Sequence, residues 1–357
     1  MISISPTVRW YITDQCNLAC KHCQVCELDE SVPSPPCDGT LKTNDILSGI
    51  SKLSKWGINH VHFLGGEPTT RPDFIDIIYF AKKNGIKTSF NTNSQLIDNR
   101  YSRELCRVET NSISFSYDGI DTYSNDFIRG SGTFERTSTT IKTIKLIRSE
   151  KNINYPKIVI DMTINSLWSD KIDKLGDFVK KISPDFMYLN AMVPEGRASV
   201  NKDMVIDDKN MIELMPKLID AIHEASKYTN IRVNFKPKII EHSIGKSKCG
   251  VMSAQFETTC DAITKVIIIT SSGKIVPCLY QANILYKKND LPDIKKCGTF
   301  DEVLSSGIFL DFMERWEKFS GCLPEVCKKC GYRFAICQIC PILPLRNKEL
   351  IARDCYS

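Results

Sequence analysis

Apolar positions in the first two-thirds of the chain alternate between two textures. Short apolar runs of strand length occupy 8–13, 60–64, 87–92, 112–117, 157–164 and 186–190. Between them, apolar residues recur at helical spacing over about 42–56, 72–84, 99–107, 134–150, 169–182 and 207–228. Strand and helix in rotation predict βα units around a parallel sheet, because a parallel crossover needs a helix-sized connection. Six units are too few for a closed eight-fold barrel, so the expected class is α/β with an incomplete ring. Gly57 and Gly85 follow the first two predicted helices, where a left-handed cap favours glycine.

After Pro237 helical periodicity fades, and ten of the 16 cysteines fall between Cys249 and Cys355. This divides the chain into a barrel over 1–236 and a cysteine-rich module over 237–357, the second held more by metal than by apolar burial.

The composition of the 357 residues, 42% hydrophobic and 25% charged, is ordinary for a globular protein of about two domains. Lys and Arg number 47 against 42 Asp and Glu; the excess is small and scattered, which argues against nucleic acid as a partner. The strongest apolar run, Val266–Ile269, is bounded by Lys265 and Ser271 and is strand-sized, so no membrane span is expected. The first residues lack the basic and apolar regions of a secretion signal, and the expected location is cytoplasmic. In a reducing compartment, cysteines at tight spacings point to metal or iron–sulfur ligation rather than to disulfides.

Cys16-x3-Cys20-x2-Cys23 follows the first strand directly, at the end of a parallel sheet where active sites are built. Three thiolates in eight residues can hold three irons of a cubane and leave the fourth open to a small ligand. A zinc site would need a fourth ligand nearby, such as His22 or Cys26. The second strand ends in Gly65-Gly66-Glu67-Pro68, where two glycines allow close backbone approach and the carbonyls, with Glu67, can accept from a ligand ammonium. His60 and His62 lie on one face of that strand and are read as packed or hydrogen-bonded residues rather than ligands.

In order and spacing these motifs resemble the radical S-adenosylmethionine (SAM) superfamily, whose fold is a partial (β/α)6 TIM-like barrel. The resemblance implies a 4Fe–4S cluster on Cys16, Cys20 and Cys23, with Gly65, Gly66, Glu67 and Pro68 at the SAM amino group. Asn91 ends the third strand in an Asn-Thr-Asn that looks like a further family element. Ser116, in a Ser-Tyr-Asp-Gly stretch, and Arg129, in an Arg-Gly-Ser-Gly-Thr-Phe stretch, would contact the SAM carboxylate. Pro194-Glu195-Gly196-Arg197 resembles a turn common in these enzymes and is given no defined contact.

The second module resembles the SPASM extension of that superfamily, which carries two auxiliary 4Fe–4S clusters. By that pattern Cys260, Cys278 and Cys340 would hold one, with either Cys249 as the fourth ligand or an iron left open to substrate, and Cys327, Cys330, Cys337 and Cys355 would hold the other. The spacing Cys327-x2-Cys330-x6-Cys337-x2-Cys340 departs from the usual pattern and leaves the placement of Cys337 and Cys340 open. Cys322 competes as a ligand, and Cys249, Cys297 and Cys322 are candidate hydrogen-donor thiols.

The resemblance implies an oxidoreductase that cleaves SAM reductively and abstracts a substrate hydrogen, served by a flavodoxin- or ferredoxin-like electron donor. The leading expectation is an oxidative thioether or carbon–carbon crosslink in a ribosomally made peptide. Dehydrogenation or epimerisation of a sugar-like small molecule, epimerisation of a peptide, and a zinc-stabilised binding module are the alternatives. Sulfatase maturation is disfavoured, since Leu279-Tyr280 stands where that class has an aspartate. The first strand begins by residue 8, so the expectation is either that leader recognition is delegated to a separate protein or that the substrate is not a leader peptide.

Overall fold

The structure, a computed structural model, describes residues 6–23, 39–192, 194, 196–234, 255–256, 265–278 and 290–321. Strands β1 (Thr7–Tyr11), β2 (His60–Leu64), β3 (Lys87–Thr92), β4 (Ser112–Tyr117), β5 (Lys157–Ile164), β6 (Phe186–Ala191) and β7 (Asn230–Asn234) lie side by side in chain order. Every neighbouring pair among them is parallel. Helices α1 (Thr43–Lys55), α2 (Phe74–Lys83), α3 (Asn99–Arg107), α4 (Thr122–Arg129), α5 (Thr133–Glu150), α6 (Leu175–Ile182) and α7 (Asp208–Ala225) make the crossovers. Six strand–helix units followed by a seventh strand form the partial (β/α)6 TIM-like barrel expected from the sequence.

The two-residue alternation of each strand divides the barrel chemically. Val8 and Trp10, Val61 and Phe63, Phe90, Ile113 and Phe115, Ile158 and Ile160, and Met187 and Leu189 are fully buried in one core with helix residues such as Ile50, Phe74 and Leu105. Each such side chain contributes about 1.5–3 kcal/mol. The intervening positions carry His60, His62, Ser89, Asn91, Ser116, Asp161, Tyr188 and Asn190 on the inner face of the barrel. The apolar core therefore lies between sheet and helices, and the barrel interior is polar.

Three features depart from the sequence-based expectation. Helix α4 went unpredicted because it is one eight-residue stretch; its start is capped by Asp121, whose side chain accepts from Ser124 N–H. The helix expected over 169–182 begins instead as a 3-10 turn, Ser169–Lys174, with Lys171 outside helical geometry, and only Leu175–Ile182 is α-helical. Strand β9 (Val266–Ile269) pairs in parallel with the free edge of β1.

Strand β10 (Ile275–Val276) adds antiparallel to β9, and β8 (Gln255–Phe256) flanks β7, giving a ten-stranded sheet. Strands from beyond the expected boundary at 236 thus join the barrel sheet, while residues 235–254 around that boundary lie outside the described residues. Helices α8 (Phe300–Leu304) and α9 (Gly307–Gly321) follow. Among the described residues no helix is long and apolar enough to cross a membrane.

Candidate functional site

The ladder between β1 and β2 continues past both strands into the two loops that carry the motifs. Ile12 N–H donates to Leu64 O at 2.8 Å, Gly66 N–H to Thr13 O at 2.8 Å and Glu67 N–H to Gln15 O at 2.7 Å. A Cβ on Gly65, whose φ is +151°, would lie 2.3 Å from Thr13 O, and one on Gly66 would lie 2.2 Å from Gln15 O. The glycines therefore permit a close backbone approach, but toward the cysteine loop; the sequence reading had that approach made by a ligand.

Glu67 fixes the same loop to the end of β3. Its Oε1 accepts from Thr69 N–H (3.2 Å), Thr69 O–H (2.6 Å) and Thr92 O–H (2.7 Å), and its Oε2 from Asn93 N–H (2.7 Å). Burial raises its pKa, and these donors oppose the rise.

The cysteine loop is also held from the far side of the barrel. Lys21 N–H donates to Ile128 O of α4 at 2.9 Å, Arg197 N–H to Cys23 O at 3.0 Å and Asn201 Nδ2 to Lys21 O at 3.1 Å. The turn at Gly196-Arg197, given no contact from sequence, is a clamp on this loop. Asn93 Nδ2 lies 3.8 Å from Cys16 Sγ and donates to Asn17 Oδ1 at 2.8 Å.

These loops frame one cavity of about 520 Å³ at the carboxyl ends of the strands. Cys16, Cys20, Cys23, Gly65, Gly66, Glu67, Pro68, Asn91, Ser116 and Arg129, all singled out from sequence, line it together. His22, considered from sequence only as a zinc ligand, also lines it, as do Tyr11, Asp161, Thr163, Asn190 and Met192, which were missed. Asp161 was legible in principle: it is the sole charge in the run Ile158-Val159-Ile160-Asp161-Met162, on the inward side of the alternation.

Arg129, at the end of α4, pairs through Nε with Asp118 Oδ2 at 2.5 Å, and His22 Nε2 lies 3.4 Å from the same oxygen. Burial disfavours the charge on Arg129, but Asp118, Cys20 and Asp161 outweigh it and raise its pKa. Burial lowers the pKa of His22 against the pull of Asp118. Among the described residues, Arg129 Nε, both Asp118 oxygens and His22 Nδ1 are buried without a well-aligned hydrogen bond. Of these, His22 Nδ1 has no partner in the ion pair, and a buried imidazole nitrogen left over at a cavity wall fits a site that takes a polar ligand.

Burial pushes the Cys20 thiol up to about 11 and raises Cys16 as well, so neither is a ready nucleophile alone. A bound metal reverses that preference, because its positive charge stabilises the thiolate. Among the described residues no three His, Cys, Asp or Glu side chains converge as a single ion would require. A cubane, with irons at separate corners, takes thiols spread around it, and the three-cysteine loop fits that demand.

Of the cysteines expected to hold auxiliary clusters, Cys249, Cys260, Cys327, Cys330, Cys337, Cys340 and Cys355 lie outside the described residues, as does Cys322. Cys278 follows β10, half-buried against the core, and does not line the cavity. Cys297 sits near the C-terminal end of α1, where Lys52 Nζ donates to the carbonyls of Ile294 (2.8 Å), Lys295 (2.8 Å) and Cys297 (3.0 Å). That is the amino-terminal end of the strands, so Cys297 is remote from the cavity it was expected to serve.

Residues 10–164 match the radical SAM superfamily. The mycofactocin maturase of Mycobacterium tuberculosis is 32% identical over 135 residues, 38% of this chain and 33% of that protein, so only a third of that relative is spanned. The AdoMet-dependent heme synthase of Methanosarcina barkeri is 24% identical over 284 residues, 76% of either chain. Streptococcus suis SuiB, solved bound to the precursor peptide SuiA, superposes with a TM-score of 0.68 at 17% identity, covering 94% of this chain and 71% of that one. At such identity the structural likeness concerns the fold.

Proposed function

We infer, for a chain whose residues 10–164 form a radical SAM superfamily domain, an enzyme that oxidatively crosslinks a ribosomally made peptide after hydrogen abstraction. The observation that carries the reading is the convergence on one cavity of the cysteine loop, the Gly65–Pro68 loop, Ser116 and Arg129. A 4Fe–4S cluster held there would supply the electron for reductive cleavage of SAM, the source of a hydrogen-abstracting 5′-deoxyadenosyl radical.

The protein's own residues have separate tasks in this account. Cys16, Cys20 and Cys23 would hold three irons of the cluster, and the tight packing of Gly65 and Gly66 on Thr13 and Gln15 fixes where that loop stands. Ser116 and Arg129 bind the SAM carboxylate, with Asp118 orienting the guanidinium. The polar barrel interior holds and orients the substrate.

A peptide substrate is supported by SuiB, a protein of similar fold solved with its precursor peptide SuiA. Two auxiliary clusters on the second module, a flavodoxin- or ferredoxin-like donor, a separate leader-recognition protein and a cytoplasmic location complete the proposal. Anaerobic reduction by dithionite in the presence of SAM tests it. Release of 5′-deoxyadenosine and methionine is expected, and intact SAM after full reduction of the iron would overturn the reading.

A further inference from the structure

Six side chains form a hydrogen-bonded chain along the inner face of the barrel and end on one carboxylate. Thr7 Oγ1 lies 3.3 Å from His60 Nδ1, His60 Nε2 lies 2.8 Å from Ser89 Oγ, and Ser89 Oγ lies 2.7 Å from His62 Nδ1. His62 Nε2 lies 2.9 Å from Asn91 Oδ1, and Asn91 Nδ2 donates to Asp161 Oδ2 at 2.8 Å. From the other side, Asn190 Nδ2 donates to Asp161 Oδ1 at 2.7 Å.

The direction of the chain follows from Asp161. An ionised carboxylate only accepts, so Asn91 must present its amide N–H and turn its oxygen to His62. His62 then donates from Nε2 and, being neutral, accepts on Nδ1 from the Ser89 hydroxyl. Ser89 in turn accepts from His60 Nε2–H, and His60 Nδ1 accepts from Thr7. Every donor points toward Asp161, an arrangement in which successive bonds polarise one another and favour the anion, against the burial that raises its pKa. Asn91 interrupts any proton wire, because an amide does not pass a proton along at neutral pH.

Asp161 nevertheless lacks a partner of opposite charge. Among the described residues no salt bridge reaches it, and Arg129, whose charge is felt there, is paired with Asp118. A partly buried carboxylate that faces a cavity with amide donors alone is unusual, since buried charges are generally paired. Each oxygen, with one amide donor, still has a lone pair to offer.

We propose that Asp161 is the substrate anchor of this cavity, taking a cationic hydrogen-bond donor, an ammonium in the strongest case, from the molecule to be modified. The anchor rests on the reading of the cavity as a SAM site. That reading puts the amino and carboxylate groups of SAM on the β1, β2 and β4 side. Asp161 stands opposite Ser116 in the β4–β5 register, at the border of that side, and with Thr163 and Asn190 it forms the β5–β6 part of the cavity that is left for the substrate.

The test uses the full chain, with and without SAM, and the probe pair n-butylammonium and butyrate followed by ligand-observed NMR. Wild-type protein should bind the ammonium about tenfold or more tighter than the carboxylate, as befits a charge-assisted hydrogen bond. Asp161→Asn should abolish the preference while SAM affinity, from equilibrium dialysis, stays within about twofold. Asp161→Ser, which removes the charge but leaves an acceptor for the amides, provides the same comparison if the first variant does not fold. No preference in the wild type, or a preference that survives either variant, overturns the anchor. A loss of SAM affinity of about tenfold or more in the variants also overturns it, by giving the carboxylate to SAM itself. Absence of SAM binding by the wild type would instead sink the parent reading, and the probe pair without SAM would still report on Asp161.

Discussion

A Cβ on Gly66 would lie 2.2 Å from the backbone oxygen of Gln15, one residue before Cys16. The first side-chain atom of any other residue thus displaces the loop that carries the three cysteines. Gly66→Ala should cost about 1–3 kcal/mol of stability. It should also lower the iron retained after anaerobic reconstitution. Iron content and denaturant unfolding measured together check this, and a variant with full iron and full stability would contradict it.

Arg129 and Asp118 form a buried pair at the cavity wall. Arg129→Met leaves the buried Asp118 without its guanidinium and with only His22 beside it, which should cost about 3–5 kcal/mol. Adding Asp118→Asn should recover part of that loss, because the stranded charge is gone. A double-mutant cycle by urea unfolding measures the coupling, and additive losses would refute it.

Glu67→Gln exchanges one acceptor oxygen for a donor in a site where Thr69, Thr92 and Asn93 all donate. Two donors then face each other, at a cost of about 1–3 kcal/mol. The Gly65–Pro68 loop should loosen from β3, and SAM affinity should fall with stability. Equilibrium dialysis of SAM beside thermal unfolding follows both.

Burial first, with Arg9 and His60 adding, pushes His62 down to about 3 from 6.5. The folded state thus binds its proton less readily than the unfolded chain. The stability His62 contributes is whole above about pH 6.5 and is lost as pH falls toward about 3, by up to about 1.4 kcal/mol per pH unit. His62→Gln should flatten that slope between pH 6 and pH 4. Urea unfolding across the range compares the two, and parallel curves would contradict a neutral, buried His62.

Much of the barrel was legible because each of β1–β6 contains an apolar run and each long helix repeats over several turns. The strands His60–Leu64, Lys87–Thr92, Ser112–Tyr117 and Lys157–Ile164 agree with the sequence reading at both ends. Pairing between Val266–Ile269 and β1 was not legible, because no local pattern tells a strand which edge some 250 residues away will accept it. Site residues with a motif around them were found, whereas Asp161, Thr163 and Asn190 became visible only when inward alternation brought them to the cavity. The glycines were found for a sound reason, but their close approach to Thr13 and Gln15 was not legible, since a close approach reads the same from sequence whether ligand or backbone makes it.

The most direct measurement is iron, acid-labile sulfide and zinc per chain after anaerobic reconstitution, in the wild type and in Cys16→Ala/Cys20→Ala/Cys23→Ala. The account predicts that the triple variant loses about four irons and four sulfides, the content of one cubane. It also predicts that only the wild type shows a change in the electron paramagnetic resonance of its reduced iron when SAM is added. Equal iron in the two proteins, or zinc in place of iron in the wild type, would contradict it.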